Sequence, residues 1–152
     1  MHPFPFSEEE WSRVNQAAAD IVNQSLMNDP VLHVAGVTEM CAILDELRQH
    51  HGEHPILLET QADFIGDKVQ SRDLYRQAIE LAVRNYLPTY TARISLAGVL
   101  LTEFHDSNAA SQQLIECNDE LEQRADTWEQ EQWAELMAQC TDSSEKANPP
   151  QG

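Results

Sequence analysis

Residues 57–82 read LLETQADFIGDKVQSRDLYRQAIELA, and residues 96–121 read LAGVLLTEFHDSNAASQQLIECNDEL. The second stretch answers the first at a constant offset of 39 positions: Gly66-Asp67 with His105-Asp106, Ser71 with Ala110, Tyr75 with Leu114, and Ala78 with Cys117. A fixed offset over four landmarks marks a helical repeat, in which each unit is a helix pair that must stack on its neighbours to bury its apolar face. The spacing therefore predicts an all-α chain.

Helical periodicity extends outward on both sides. Ser7-Glu8-Glu9-Glu10 has the form of a capping box and starts a helix carrying Trp11, Val14, Ala18, Ile21 and Val22. Asn28-Asp29-Pro30 ends it and opens a second helix with Val37, Met40, Cys41, Leu44 and Leu47, stopped by Gly52. His54-Pro55 opens a short third helix ended by Gly66, whose tolerance of a left-handed backbone suits a helix C-terminus. A fourth runs from about Ser71 to Asn85, and Pro88 marks the start of a fifth. The fifth, with Tyr90, Ile94, Ala97, Val99, Leu100, Leu101 and Phe104, is the most apolar and belongs at the centre of the core. A sixth, capped by Ser107, carries Ala110, Leu114, Cys117 and Leu121, and a seventh carries Trp128, Trp133, Leu136, Met137 and Cys140. The expected architecture is about seven helices in stacked antiparallel hairpins, one domain over residues 1–140, with a flexible tail over residues 141–152.

Composition narrows the function. Nine Lys+Arg against 26 Asp+Glu give a net charge of −17, which disfavours nucleic acid and anionic lipid and suits a basic partner or simple solubility. Cys41, Cys117 and Cys140 are far apart and form no C-x-x-C, so neither a disulfide framework nor a zinc knuckle is expected. The N-terminus lacks the basic and apolar regions of a signal peptide, and no apolar run approaches the length of a membrane span. These features place the chain in the cytoplasm.

The paired helices resemble tetratricopeptide units, through Leu58, Gly66-Asp67, Ser71, Tyr75, Ala78, Ile79 and Leu81 in one unit and Ala97-Gly98, Leu101, Asp106, Ala110, Leu114 and Cys117 in the next. The resemblance covers about half the chain, and the offset of 39 exceeds that family's usual period of about 34. The extra residues fit the connection Asn85-Tyr86-Leu87-Pro88. The resemblance implies a concave groove lined by the first helix of each unit: Glu53, Ile56, Thr60, Asp63 and Phe64, then Ala92, Ser95, Val99, Thr102 and Glu103. That lining lacks the Lys, Arg and Asn with which family members clamp a terminal carboxylate, so a basic or amphipathic segment fits better. In the alternative, the N-terminal helices cover Ile56, Phe64 and Val99 and close the groove.

Other constellations carry weaker chemistry. His50, His51 and His54 with Glu53 could offer metal ligands, but Gly52 interrupts the helix between them, and histidines at the negative end of a helix dipole are the simpler reading. Glu59 and Asp63 share a helix face, a spacing suited to shared protonation or cation binding; the preferred structural reading pairs Asp63 with Arg72, Arg76 or Arg93. Cys41 and Cys117 fall on apolar stripes as small core residues. There is no nucleophile elbow and no glycine-rich phosphate loop, so neither catalysis nor a cofactor is expected.

Between Glu116 and Glu135 stand eight acids and one base, Arg124, with Trp128 and Trp133 among them. Five residues apart, the two indoles cannot share one narrow stripe, so one belongs at the surface, where carboxylates around it suit a partner's cation. The expected contact residues are Thr60, Asp63, Ser95, Thr102 and Glu103 in the groove and Trp128, Glu129 and Trp133 on the acidic face. The leading expectation is a non-enzymatic adaptor or chaperone-like module for a basic protein segment. Its rivals are an immunity-type inhibitor of a cationic toxin, a metal-dependent enzyme using the histidines, and a self-associating subunit.

Overall fold

A computed structural model describes residues 1–147, with side-chain surroundings through residue 142. Eight helices follow one another: α1 (Glu8–Leu26), α2 (Pro30–His51), α3 (Pro55–Phe64), α4 (Lys68–Arg84), α5 (Tyr90–Thr102), α6 (Ser107–Glu116), α7 (Asn118–Arg124) and α8 (Thr127–Ala147). No strand occurs among the described residues. The most extensive packing is within the hairpins α1–α2, α3–α4 and α5–α6, with α5 also seated on α4 and α8 closing over α6 and α5. Packed helix pairs of this kind are compatible with a helical repeat.

Short polar side chains set the boundaries. Ser7 and Glu10 form the reciprocal capping box, and Asp29, Asp67 and Asp106 each accept from backbone N–H groups one turn ahead. A cap of this kind contributes about 1 kcal/mol, because it satisfies a donor that the helix cannot. The small residues shared by the two units, Ser71 and Ala110, are both buried where helices approach closely. Ser71 Oγ also donates to the carbonyl of Ala62 at 2.7 Å, satisfying an acceptor near the end of α3.

Two apolar clusters share α3 as their wall. Leu57 joins Phe6, Val14, Ile21, Met40, Leu44 and Leu47 on the α1–α2 side, while Leu58 joins Tyr75, Ala78, Leu96, Leu100, Leu114 and Cys117 on the other. Tyr75 and Leu114, the large residues of the two units, are both buried here, and α5 lies at the centre of this second cluster. Cys117 and Cys140 are buried and Cys41 is half-buried, all as free thiols. Burial pushes the Cys117 thiol up to about 11, leaving little of the reactive thiolate.

Several details differ from the sequence reading. The sixth helix is capped by Asp106, with Ser107 as its first residue rather than its cap. The expected sixth helix breaks at Cys117, which closes α6 and opens α7. The left-handed glycine is Gly52, at φ 80°, rather than Gly66; its counterpart His105 adopts φ 50° instead. Val22, grouped with the apolar residues that recur at helical spacing in α1, is exposed. Helix α8 continues through Ala147, so the segment from Thr141 begins as helix; residues 148–152 of the expected tail lie outside the described residues.

Candidate functional site

The groove exists on one side of α3 only. Ile56 and Phe64 pack into the N-terminal cluster, Ala92 and Thr60 are buried, and Glu53 is held by Arg48 Nε at 3.0 Å, so these five do not form an open lining. Thr60 Oγ1 donates back to the carbonyl of Ile56, which gives it an internal role. The α5 side remains open. A groove of about 300 Å³ runs between α4, α5 and α8, with Tyr75, Ser95, Val99, Thr102, Glu103 and Leu136 among its walls. A Cβ built on Gly98 at its floor would meet nothing within 4 Å. Three residues expected in the groove, Ser95, Thr102 and Glu103, therefore do line it.

At its Tyr75–Ser95 side stands the pair Glu59 and Asp63. Burial pushes the Glu59 carboxyl up to about 7, the neighbouring Asp63 and then Glu129 of α8 add to the shift, and the Thr91 hydroxyl, donating at 3.1 Å, opposes it. Asp63 is open to solvent on one side, yet surrounding protein atoms raise its pKa too, partly offset by the hydrogen bond donated by Tyr75. A carboxylate both reachable and partly desolvated belongs to a concave surface. Burial, followed by Asp63, raises the Tyr75 phenol, and Ser95 beside it works the other way.

The expected pairing of Asp63 with an arginine is not found. Arg72 lies over the Phe104 ring at 4.5 Å and touches Asp73 at 3.5 Å, while Arg93 binds Glu116 and Gln113 at 2.7 Å each. Arg48 and Arg13 are paired within the first three helices. Among the described residues, neither Glu59 nor Asp63 has a cation within ion-pair distance.

The acidic face divides its two indoles. Trp133 packs into the main core and donates from Nε1 to the carbonyl of Leu114 at 2.8 Å, so its place among contact residues gives way to a structural role. Trp128 is 67% exposed. Glu129 accepts from the backbone N–H of Asp126 and so belongs to a capping box at the start of α8. Sequence reasoning missed Glu120, whose carboxylate accepts from Thr89 N at 2.6 Å, Thr89 Oγ1 at 3.0 Å and Tyr90 N at 2.9 Å. It caps α5 from α7, and no local spacing signals a cap that comes from so far along the chain.

The histidines diverge. His51 meets Glu10 at 2.8 Å, whereas His54 is buried, with Nδ1 accepting from Ile56 N and Nε2 donating to the carbonyl of His2. That arrangement fixes the neutral Nε2–H tautomer, and burial lowers the His54 pKa in keeping with it. Phe4, Phe6 and Trp11 gather beside these rings, so the N-terminal residues seal the start of α3. Among the described residues no three His, Cys, Asp or Glu groups stand close enough to share a metal ion, and no helix is long and apolar enough to cross a membrane. In comparisons with known proteins, no family model, curated sequence or solved structure matches this chain.

Proposed function

We propose that this chain is a non-enzymatic, tetratricopeptide-like binding module of the cytoplasm, whose groove receives a basic, amphipathic segment of another protein. A Lys or Arg of that segment would sit against Glu59 and Asp63, while its apolar residues lie along Val99 and Leu136. The observation that carries this reading is the unpaired carboxylate pair. Four arginines of an acid-rich chain are ion-paired elsewhere, and the two acids whose charge costs most to maintain are left without one. An incoming cation would offset that cost, which a surface acid of ordinary pKa would not offer.

The test is fluorescence binding to a set of amphipathic helical peptides that differ in having Lys, Gln or Glu at one central position. The Lys peptide should bind best, and Glu59→Gln with Asp63→Asn should weaken it by about tenfold or more while leaving the Gln peptide as tight or tighter. Equal affinity for all three peptides would overturn the reading. A second reading, an inhibitor steered onto a cationic toxin, is favoured by the exposed Trp128 in the acid-rich stretch from Glu116 to Glu135. It predicts that Trp128→Ala, and not the groove variants, weakens the partner.

A further inference from the structure

The α1–α2 hairpin is longer than what covers it. At 1.5 Å per residue α2 extends about 33 Å and α3 about 15 Å, from their 22 and 10 residues. After the turn at Gly52, α3 runs back along the C-terminal part of α2, where Met40, Ile43, Leu44 and Leu47 are buried. The N-terminal part of α2 and the C-terminal part of α1 project beyond it, and the one extensive neighbour of α1 is α2. Two helices alone bury only their facing stripes. Accordingly Val22, Leu26, Met27, Val31, Leu32 and Val34 all lie open at this tip, Leu26 at 80% and Val31 at 77% exposure.

The tip is also the uncharged part of a strongly charged chain. From Ile21 to Thr38 there is no Lys or Arg and one acid, Asp29, in a protein of net charge −17. Asp29 is already engaged by the N–H groups of Val31 and Leu32 at the positive end of α2. A cationic partner would find no free carboxylate here, and a lipid surface would bring anionic headgroups toward a polyanion. A second copy also carries a net charge of −17, but the surface it brings to the contact is the same uncharged tip, so the repulsion acts only through charges outside the contact. Related by a two-fold axis, two tips present the same neutral, aliphatic surface to each other, and the acid-rich α7 and α8 of each copy stay at a distance.

We propose that the overhanging α1–α2 tip is a homodimer interface, in which two hairpins pack as a four-helix bundle around Leu26, Val31 and Val34. Six aliphatic or Met side chains at these exposures bury on the order of 300–400 Å² per copy, the size of a weak and reversible interface. Dimerisation leaves both acidic grooves free, so the particle would be bivalent.

Sedimentation equilibrium of the full chain from about 5 to 500 µM brackets an interface of this size. The average mass should climb from 17.2 kDa toward twice that value, and do so at lower concentration in higher salt, which screens the repulsion between the two copies. Leu26→Glu and Val31→Glu, both at open positions, should hold the mass at the monomer value with unchanged helicity. Tyr86→Glu, in the turn after α4 and 96% exposed, should associate like the parent. A monomer throughout at both salts, association that survives both tip variants, or a monomer that instead sediments with phosphatidylcholine vesicles would each overturn the proposal.

Discussion

Replacing Glu59 by Gln should stabilise the protein at pH 8 and do little at pH 4.5. The Glu59 carboxyl is held at about 7 against an ordinary value of 4.5, first by burial and then by Asp63. A raised carboxyl means that the folded chain binds its proton more tightly than the unfolded chain does between those values. Stability from this group is therefore intact below pH 4.5, falls as pH rises toward 7, and stays low above it. At about 1.4 kcal/mol per pKa unit the difference amounts to roughly 3 kcal/mol, an upper figure because local rearrangement and water reduce it. Glutamine keeps the shape and can still accept from Thr91, but carries no charge to desolvate and none to oppose Asp63. Urea unfolding at pH 8 should show the variant ahead by about 1–3 kcal/mol, with the curves converging near pH 4.5. Comparing variant with parent at each pH removes the general self-repulsion of a −17 chain, which titrates in the same range. An equal gain at both pH values, or none at pH 8, would refute the assignment of Glu59 as a strained, desolvated acid.

Three further substitutions test the packing. Glu120→Ala removes three hydrogen bonds to the start of α5 and should cost about 2–3 kcal/mol by urea unfolding, where an ordinary surface acid would cost nothing measurable. Trp133→Ala should cost about 3–5 kcal/mol from lost core packing, whereas Trp133→Phe, which keeps a ring in place and leaves the Leu114 carbonyl only the weaker Cys117 thiol as a side-chain donor, should cost about 1 kcal/mol in the same assay.

Helices that announce themselves by local chemistry were legible in the sequence. Ser7-x-x-Glu10 and Asp29-Pro30 form the caps that their spacing predicts, and the 39-residue offset places Tyr75 and Leu114 in equivalent buried positions. What was not legible depended on distance along the chain. Glu120 looks like one more solvated acid until α7 folds back beside Thr89, and Trp133 is indistinguishable from Trp128 until the carbonyl of Leu114 comes within reach of its Nε1. The groove was half readable for the same reason. The resemblance implies a lining that includes Ile56, Thr60 and Phe64 beside Asp63, but only the position of the N-terminal cluster decides that Ile56 and Phe64 are covered while Asp63 stays open. The breakdown at Gly66 and His105 is instructive too. Equivalent in sequence, the two positions differ in backbone conformation, so the repeat preserves packing residues more faithfully than its turns.

If the groove binds a segment as proposed, the raised Glu59 carboxyl lets it distinguish occupants by charge. A bound ammonium or guanidinium would bring the carboxyl back toward its ordinary range, so a cationic segment would bind with loss of a proton, and its affinity would rise as pH climbs toward 7. An uncharged segment covering the same residues would deepen their burial, favour the protonated carboxyl, and bind better as pH falls. The two modes thus differ in the sign of their pH dependence, a stronger distinction than any difference in affinity. Gly98 and Thr102, at the positions of the second unit that match Glu59 and Asp63, carry no charge. On the proposed reading the pH-sensitive seat therefore lies beside Glu59 and Asp63 alone, while Glu103 and Lys68 on the groove wall add charges of both signs.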